Sequence, residues 1–298
     1  MDEHSGPIAR LTEIRATRPE AIAEAAARRA RRPALLEPGG RLMLVAADHP
    51  ARGALAAGGD PYAMADRRDL LRRLCVALGR PGVDGVLGTP DVIEDLLLLG
   101  VLDGKVVLGS MNRGGLAGSV FEVDDRFTAY DAEAIAASGL DGGKMLLRVD
   151  DRDGATARTL ESCGRAVTAL AARGLTALIE PFVARREPAA PSGGRLRNEL
   201  TPEAMVRAVS VASGLGATSA RTWLKVPVVP DMERVMAAST LPALLLGGEV
   251  ADDPRAALAG WRAALRLPSV LGLVAGRSLL YPAGGDVASA VDAAVDVL

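Results

Sequence analysis

Short apolar runs recur along this chain at intervals of about thirty residues, each followed by a stretch of helical character, and this rhythm is the strongest limit on its fold. The first run is Leu42-Met43-Leu44-Val45-Ala46-Ala47-Asp48. Gly85-Val86-Leu87-Gly88, Lys105-Val106-Val107-Leu108-Gly109 and Lys144-Met145-Leu146-Leu147-Arg148-Val149 follow it. The later four are Leu175-Thr176-Ala177-Leu178-Ile179-Glu180, residues 218–226, Leu241-Pro242-Ala243-Leu244-Leu245-Leu246 and Val270-Leu271-Gly272-Leu273-Val274-Ala275. Most are apolar on both faces, as strands of a parallel sheet covered by helices must be. Helices are expected over 62–79, from Pro90 with Thr89 as cap, over 131–138 and 155–173, after Thr201-Pro202-Glu203, over 231–236 and 252–265, and beyond 286. A polar loop with Pro188, Pro191 and Gly193-Gly194 separates the fifth strand from its helix.

Eight strand–helix units over about 260 residues match an α/β (β/α)₈ TIM barrel in number and size. The rival, an open doubly wound sheet, announces its ligand site with a glycine-rich turn after the first strand. Here that position reads Asp48-His49-Pro50, and the paired glycines come late, as Gly247-Gly248-Glu249 and Gly276-Arg277. The barrel is therefore expected over 41–298, behind an N-terminal helical extension over 1–40 in which 9–36 read as helical.

A formal net charge of −2, pI near 5.9 and 3% aromatic residues argue against a nucleic-acid partner. The start, Met1-Asp2-Glu3-His4, is polar and acidic, and no apolar run is long enough for a bilayer, so no membrane association and a cytoplasmic location are expected. Cys75 and Cys163 lie in helix-like stretches and read as buried thiols. Two histidines are too few for a histidine metal cluster, and neither metal nor cofactor is expected. A homo-oligomer is left open.

Only three of the 35 basic residues are lysines, Lys105, Lys144 and Lys225, and Lys225 lies in the apolar run Arg221-Thr222-Trp223-Leu224-Lys225-Val226-Pro227. Lysine can lose its proton and attack a carbonyl, whereas arginine cannot. Two readings of Lys225 stand at this level: an amine nucleophile, or a side chain snorkelling from a strand end to solvent. In a barrel the C-terminal strand ends share one mouth. Asp48, Arg148 with Asp150, Glu180 and Lys225 fall there. Trp223 shares the Lys225 face, and Lys144 shares the Arg148 face. An inward Lys144 or Arg148 would favour a neutral amine at Lys225. Glu180 would then shuttle protons for iminium formation, and Asp48 would take the proton of the hydroxyl whose C–C bond breaks. Each also has a plainer reading: Asp48 as a cap, Glu180 as an arginine partner, Lys144 at the lower strand end. Lys105 reads as a solvent-facing residue of the stability face. Gly247, Gly248 and Gly276 would present backbone N–H groups to a phosphate, with Arg277 adding a charged fork. In the glycine-rich loop 110–121, Asn112 or Arg113 would touch substrate, or the loop is surface only.

Together these residues resemble the class I Schiff-base aldolase superfamily of deoxyribose-phosphate, archaeal-type fructose-bisphosphate and tagatose-bisphosphate aldolases, over roughly 40–285. Its anchor is Leu224-Lys225-Val226-Pro227, where the family's iminium-forming lysine ends the sixth strand. The tagatose-bisphosphate branch implies Asp48, Lys144 and Glu180 as partners, with Gly247, Gly248, Gly276 and Arg277 holding the phosphate of a small-molecule substrate; Arg148, at the end of the fourth strand, is a further candidate for binding that substrate. Residues 244–249 lack the second lysine of deoxyribose-phosphate aldolase. The chain is most similar to actinobacterial aldolase-like proteins of myo-inositol catabolism. That implies a carbon–carbon lyase of carbohydrate metabolism, cleaving 5-dehydro-2-deoxy-6-phosphogluconate to dihydroxyacetone phosphate and malonate semialdehyde. A metal-independent sugar-phosphate isomerase or epimerase and a non-catalytic phosphosugar-binding protein are the alternatives.

Overall fold

Eight parallel strands close on themselves in a computed structural model that describes residues 5–187, 196–248, 250 and 253–298. Met1 to His4, the loop with Pro188, Pro191 and Gly193-Gly194, Glu249 and Asp252 lie outside the described residues. Two helices come first, α1 (Ser5–Thr17) and α2 (Ala21–Arg28). Then come β1 (Leu42–Ala46), α3 (Arg67–Leu78), β2 (Gly85–Gly88), α4 (Pro90–Leu98), β3 (Val106–Ser110), α5 (Ala132–Ala137), β4 (Gly142–Val149) and α6 (Ala155–Ala171). The second half holds β5 (Thr176–Arg186), β6 (Leu196–Asn198), α7 (Pro202–Ser213), β7 (Thr222–Val226), α8 (Met232–Met236), β8 (Ala243–Leu246), α9 (Pro254–Ala264), β9 (Val270–Ala275), α10 (Arg277–Leu280) and α11 (Val287–Val295).

The ring runs β1-β2-β3-β4-β5-β7-β8-β9 and back to β1, every pair parallel. This is the expected TIM barrel with extra N-terminal helices. β6 is outside it, an antiparallel partner for the overrunning end of β5 at 184–186. Its three residues, Leu196-Arg197-Asn198, carry no apolar run, so nothing in the sequence marks them as a strand.

Helix starts follow their local chemistry. Asp66, Asp131, Thr201, Asp253 and Asp286 each accept a first-turn backbone N–H and cap the helix that follows. Two expectations need correction. The helix over 9–36 is broken into α1 and α2, because Pro19 disfavours helix at Arg18 just before it, and α2 ends at Arg28, short of 36. The sixth barrel strand begins at Thr222 rather than 218, since Thr218 Oγ1 accepts the Ala220 N–H and holds a turn there.

The N-terminal end of the barrel is sealed with hydrocarbon. Leu42, Leu44, Ala46, Leu87, Val106, Leu108, Leu178, Leu244 and Val274 fill the interior, with Leu35, Leu36 and Trp223 packed against them. A cavity of about 10 Å³ remains, room for at most a single water. The larger core lies outside the ring, between strands and helices, and takes in Ile8, Leu11 and Ala25 of the N-terminal helices. Cys75 and Cys163 are both buried in helices, and burial pushes the Cys163 thiol up to about 12. Lys105 is half-buried at the stability end and donates to the Val83 carbonyl at 2.6 Å, so it is less solvent-facing than expected. Among the described residues no helix is long and apolar enough to cross a membrane.

Candidate active site

The period of two carries the apolar interior directly into a charged layer at the C-terminal strand ends. Beyond Leu42, Leu44 and Ala46 the next inward position of the first strand is Asp48. Leu108 is followed by Ser110, Leu178 by Glu180, and Trp223 by Lys225. Lys144 pairs in register with Ser110 on one side and Leu178 on the other, which places it inside the barrel. Its ammonium reaches both Asp48 and Glu180 at the strand ends, so its reading as a lower-end residue does not hold.

These side chains form one line of alternating charge. Lys225 Nζ lies 3.1 Å from Glu180 Oε1, and Glu180 Oε2 lies 2.5 Å from Lys144 Nζ. Lys144 Nζ donates in turn to Asp48 Oδ2 at 3.0 Å, and Arg113 Nη1 reaches the same oxygen at 3.0 Å. Ser110 Oγ donates to it as well, at 2.9 Å. Asp48 Oδ2 thus has three donors, while Oδ1 has none among the described residues; His49 Nδ1 lies 3.9 Å from it.

Burial dominates the electrostatics, and the neighbours decide the sign. Burial alone would raise Asp48, but Arg113, Lys144 and Lys225 outweigh it and hold the carboxyl well below its usual range. Glu180 behaves alike: burial opposes its charge, and Lys144 and Lys225 prevail, so it is a carboxylate. Burial brings Lys144 down to about 8 despite Asp48 and Glu180 beside it. Burial also takes His49 down to about 3, leaving a neutral imidazole at the mouth.

Arg148 lies at the far end of β4 and is bound to Glu122 Oε1 at 2.6 Å. Asp150 turns away from the mouth to Arg185, 3.1 Å off. Gly247 and Gly248 follow β8, and Gly276 and Arg277 follow β9. At Gly276 a Cβ would come 2.5 Å from the Ala46 carbonyl oxygen and 2.9 Å from His49 Cε1, so only glycine fits. Gly248 has a φ of +69°, the left-handed region that glycine favours. Arg277 Nη1 donates to the Ala56 carbonyl at 3.5 Å.

The family model described as Cgl0159-like matches residues 40–295. The chain belongs to the Cgl0159-like family. The crystal structure of Cgl0159 from Corynebacterium glutamicum (Brevibacterium flavum) is 49% identical, with 98% of this chain and 97% of that one covered and a TM-score of 0.94. A Schiff-base-forming fructose-1,6-bisphosphate aldolase shares the fold at 20% identity, covering 93% of this chain and 99% of that one, TM-score 0.64. A fructose-bisphosphate aldolase from Slackia heliotrinireducens does so at 20% identity, covering 94% and 84%, TM-score 0.62. No curated protein matches the chain.

In this Cgl0159-like chain Ser110 and Arg113 are the site residues not singled out as Asp48 partners from sequence. Ser110 had a signal, being two residues past the inward Leu108. Arg113 had none, since it sits where strand periodicity has ended. Asn112 is structural: its amide donates to the Leu146 carbonyl at 2.5 Å and accepts the Leu146 N–H at 2.7 Å.

Proposed function

We propose that the protein is a class I aldolase in which Lys225 forms a Schiff base with a phosphorylated ketose or keto acid. The observation that carries this reading is the line Lys225–Glu180–Lys144–Asp48 at one barrel mouth. Lys225 meets one carboxylate, whereas Lys144 is held between two, so the Lys225 amine is the one with freedom to react.

The chemistry follows from the distances. Glu180 takes the Lys225 proton, and its own proton affinity rises as that countercharge disappears. The neutral amine attacks the carbonyl carbon. The carbinolamine hydroxyl leaves as water with a proton from Glu180 or Lys144, whose value of about 8 suits proton transfer near neutrality. Asp48 Oδ1 then removes the proton from the hydroxyl on the carbon β to the iminium. The Cα–Cβ electron pair moves into the iminium, giving an enamine, and the β carbon departs as an aldehyde. Protonation of the enamine at Cα and hydrolysis release the second product. The iminium serves as the electron sink a metal would otherwise supply, so a chelator leaves turnover intact.

Gly247, Gly248, Gly276 and Arg277 hold the phosphate, on loops where barrel enzymes commonly bind one. In 5-dehydro-2-deoxy-6-phosphogluconate the ketone adjoins the phosphate-bearing carbon, and this sequence of bond changes yields dihydroxyacetone phosphate and malonate semialdehyde. That substrate, and with it a place in inositol catabolism, is the specific form of the proposal. The test is borohydride trapping with dihydroxyacetone phosphate followed by peptide mapping. The adduct is expected on Lys225 and absent from Lys225→Ala; an undiminished adduct in that variant overturns the assignment.

A further inference from the structure

Beside the Lys225–Asp48 line lies a second buried cluster of charges. Arg52, on the single turn after the first strand, is 4% exposed, and Arg113, after β3, is 5% exposed. Arg148 completes the group from the end of β4. Two acids of the loop after β3 face them. Arg52 Nη1 is 2.9 Å from Asp125 Oδ2, and Glu122 Oε1 lies 3.9 Å from Arg52 Nη2 and 2.6 Å from Arg148 Nη1. The other carboxylate oxygens are already used, Asp125 Oδ1 by the Gly115 N–H and Glu122 Oε2 by the Gly118 N–H, both at 2.9 Å.

The donors outnumber what these acids accept. Arg52 Nη2, Arg113 Nη2 and Arg148 Nε are buried and lack a hydrogen-bond partner among the described residues. Among the described residues of these two linked clusters, Arg52, Arg113, Lys144, Arg148 and Lys225 set five cations against the four carboxylates of Asp48, Glu122, Asp125 and Glu180. The crowding is felt within the cluster: burial first, then the Arg148 guanidinium, lowers Arg52 to about 10. Buried guanidinium N–H groups without acceptors are costly unless an anion completes them.

Position gives that anion a meaning. In the eight-strand ring, β3 and β4 lie across the mouth from β8 and β9, whose loops carry the glycine pairs. Arg113 bridges the two centres, with Nη1 on Asp48 Oδ2 and Nη2 unfilled. We infer that Arg52, Arg113 and Arg148 form a second oxyanion seat, which takes a carboxylate or second phosphate at the opposite end of a straight-chain substrate from the phosphate held by the glycine loops. This deepens the aldolase reading, on which it rests for the position of the reacting carbon. A substrate with one anionic group leaves the seat unfilled, so the enzyme selects chains charged at both ends.

Calorimetry with three six-carbon acyclic probes tests this without any carbonyl chemistry: glucitol 6-phosphate, 6-phosphogluconate and glucitol 1,6-bisphosphate. At least one two-ended probe should bind about ten-fold tighter or better than glucitol 6-phosphate. The tighter of the two tells carboxylate from phosphate. Arg148→Gln should close that gap while leaving glucitol 6-phosphate affinity in place. Because Arg52 holds Asp125, the second variant is Arg52→Gln with Asp125→Asn, which removes the pair together and should also close the gap. Equal binding of all three probes by the unaltered protein, or a gap that survives in both variants, overturns the seat. Borohydride trapping of Lys225 with dihydroxyacetone phosphate reports on the aldolase reading separately, because that ketone carries a single anionic group.

Discussion

The two ends of the barrel are built from the same strands and differ in almost every physical respect. At the N-terminal end Leu42, Leu44, Leu178 and Trp223 meet across a dry interior. Further along the same inward faces, those strands present Asp48, Glu180 and Lys225. Hydrocarbon packing tolerates small losses one residue at a time, whereas ionised groups out of water depend on one another. The lower end therefore supplies a rigid floor, and the upper end holds charges that are stable only as a set. Reactivity belongs where such a set can be disturbed by a substrate.

Removing a proton carrier from the upper end should give the largest effect. Glu180→Gln keeps the shape and abolishes the charge shared by Lys144 and Lys225, and turnover should fall about 10²–10⁴-fold. Phosphate affinity, which the proposal assigns to the glycine loops, should change far less. Steady-state kinetics with a phosphorylated ketose reads both, and an unchanged kcat would remove Glu180 from the proton path.

A paired substitution on the first strand compares the two ends directly. Asp48→Asn takes the countercharge from Arg113 and Lys144 and should cost about 3–5 kcal/mol, together with loss of cleavage. Leu44→Ala, two inward positions below, should cost about 2–5 kcal/mol and leave the Lys225 adduct forming normally. Denaturant midpoints and reductive trapping on the same samples separate the outcomes. If Leu44→Ala prevented trapping as fully as Asp48→Asn, the division into floor and mouth would be wrong.

How much of this was readable in sequence follows the same division. The strands were legible because buried parallel strands are continuous apolar runs, and Asp48, Glu180 and Lys225 then fell at C-terminal strand ends, which share one mouth in a barrel. Lys144 was harder, since Gly142-Gly143 before it looks like a strand start, whereas β4 already begins at Gly142. The loop after β3 was opaque. The pairing of Arg148 with Glu122 spans 26 residues and crosses from a strand to an irregular segment, where no periodicity applies. Arg113 was visible only as a residue in a glycine-rich loop, and its hold on Asp48 joins the segments after β1 and β3, which are 65 residues apart. Local pattern conveys which way a side chain points; which charge it meets depends on the tertiary fold.

The smallest expected effect distinguishes the two ends by pH. Lys144 has a folded value of about 8 against an ordinary 10.5, lowered first by burial. Between those values the unfolded chain holds a proton that the folded chain has released, so stability from this group rises with pH across that window and is lowest below it. Lys144→Met removes the titration and leaves Arg113 on Asp48 and Lys225 on Glu180. Going from about pH 7 to about pH 9.5, the unaltered protein should gain roughly 2 kcal/mol relative to Lys144→Met in urea unfolding. Leu44→Ala should show the same offset from the unaltered protein at both values, because nothing at the floor titrates. In acid Glu180 and Asp48 act with the same sign: both are held below their ordinary range, so the stability they contribute is present above that range and is lost as pH falls from it through their lowered folded values. A gap between Lys144→Met and the unaltered protein that stays constant with pH would mean that Lys144 keeps its proton throughout, and the proton route from Lys144 to the carbinolamine would have to pass through Glu180 alone.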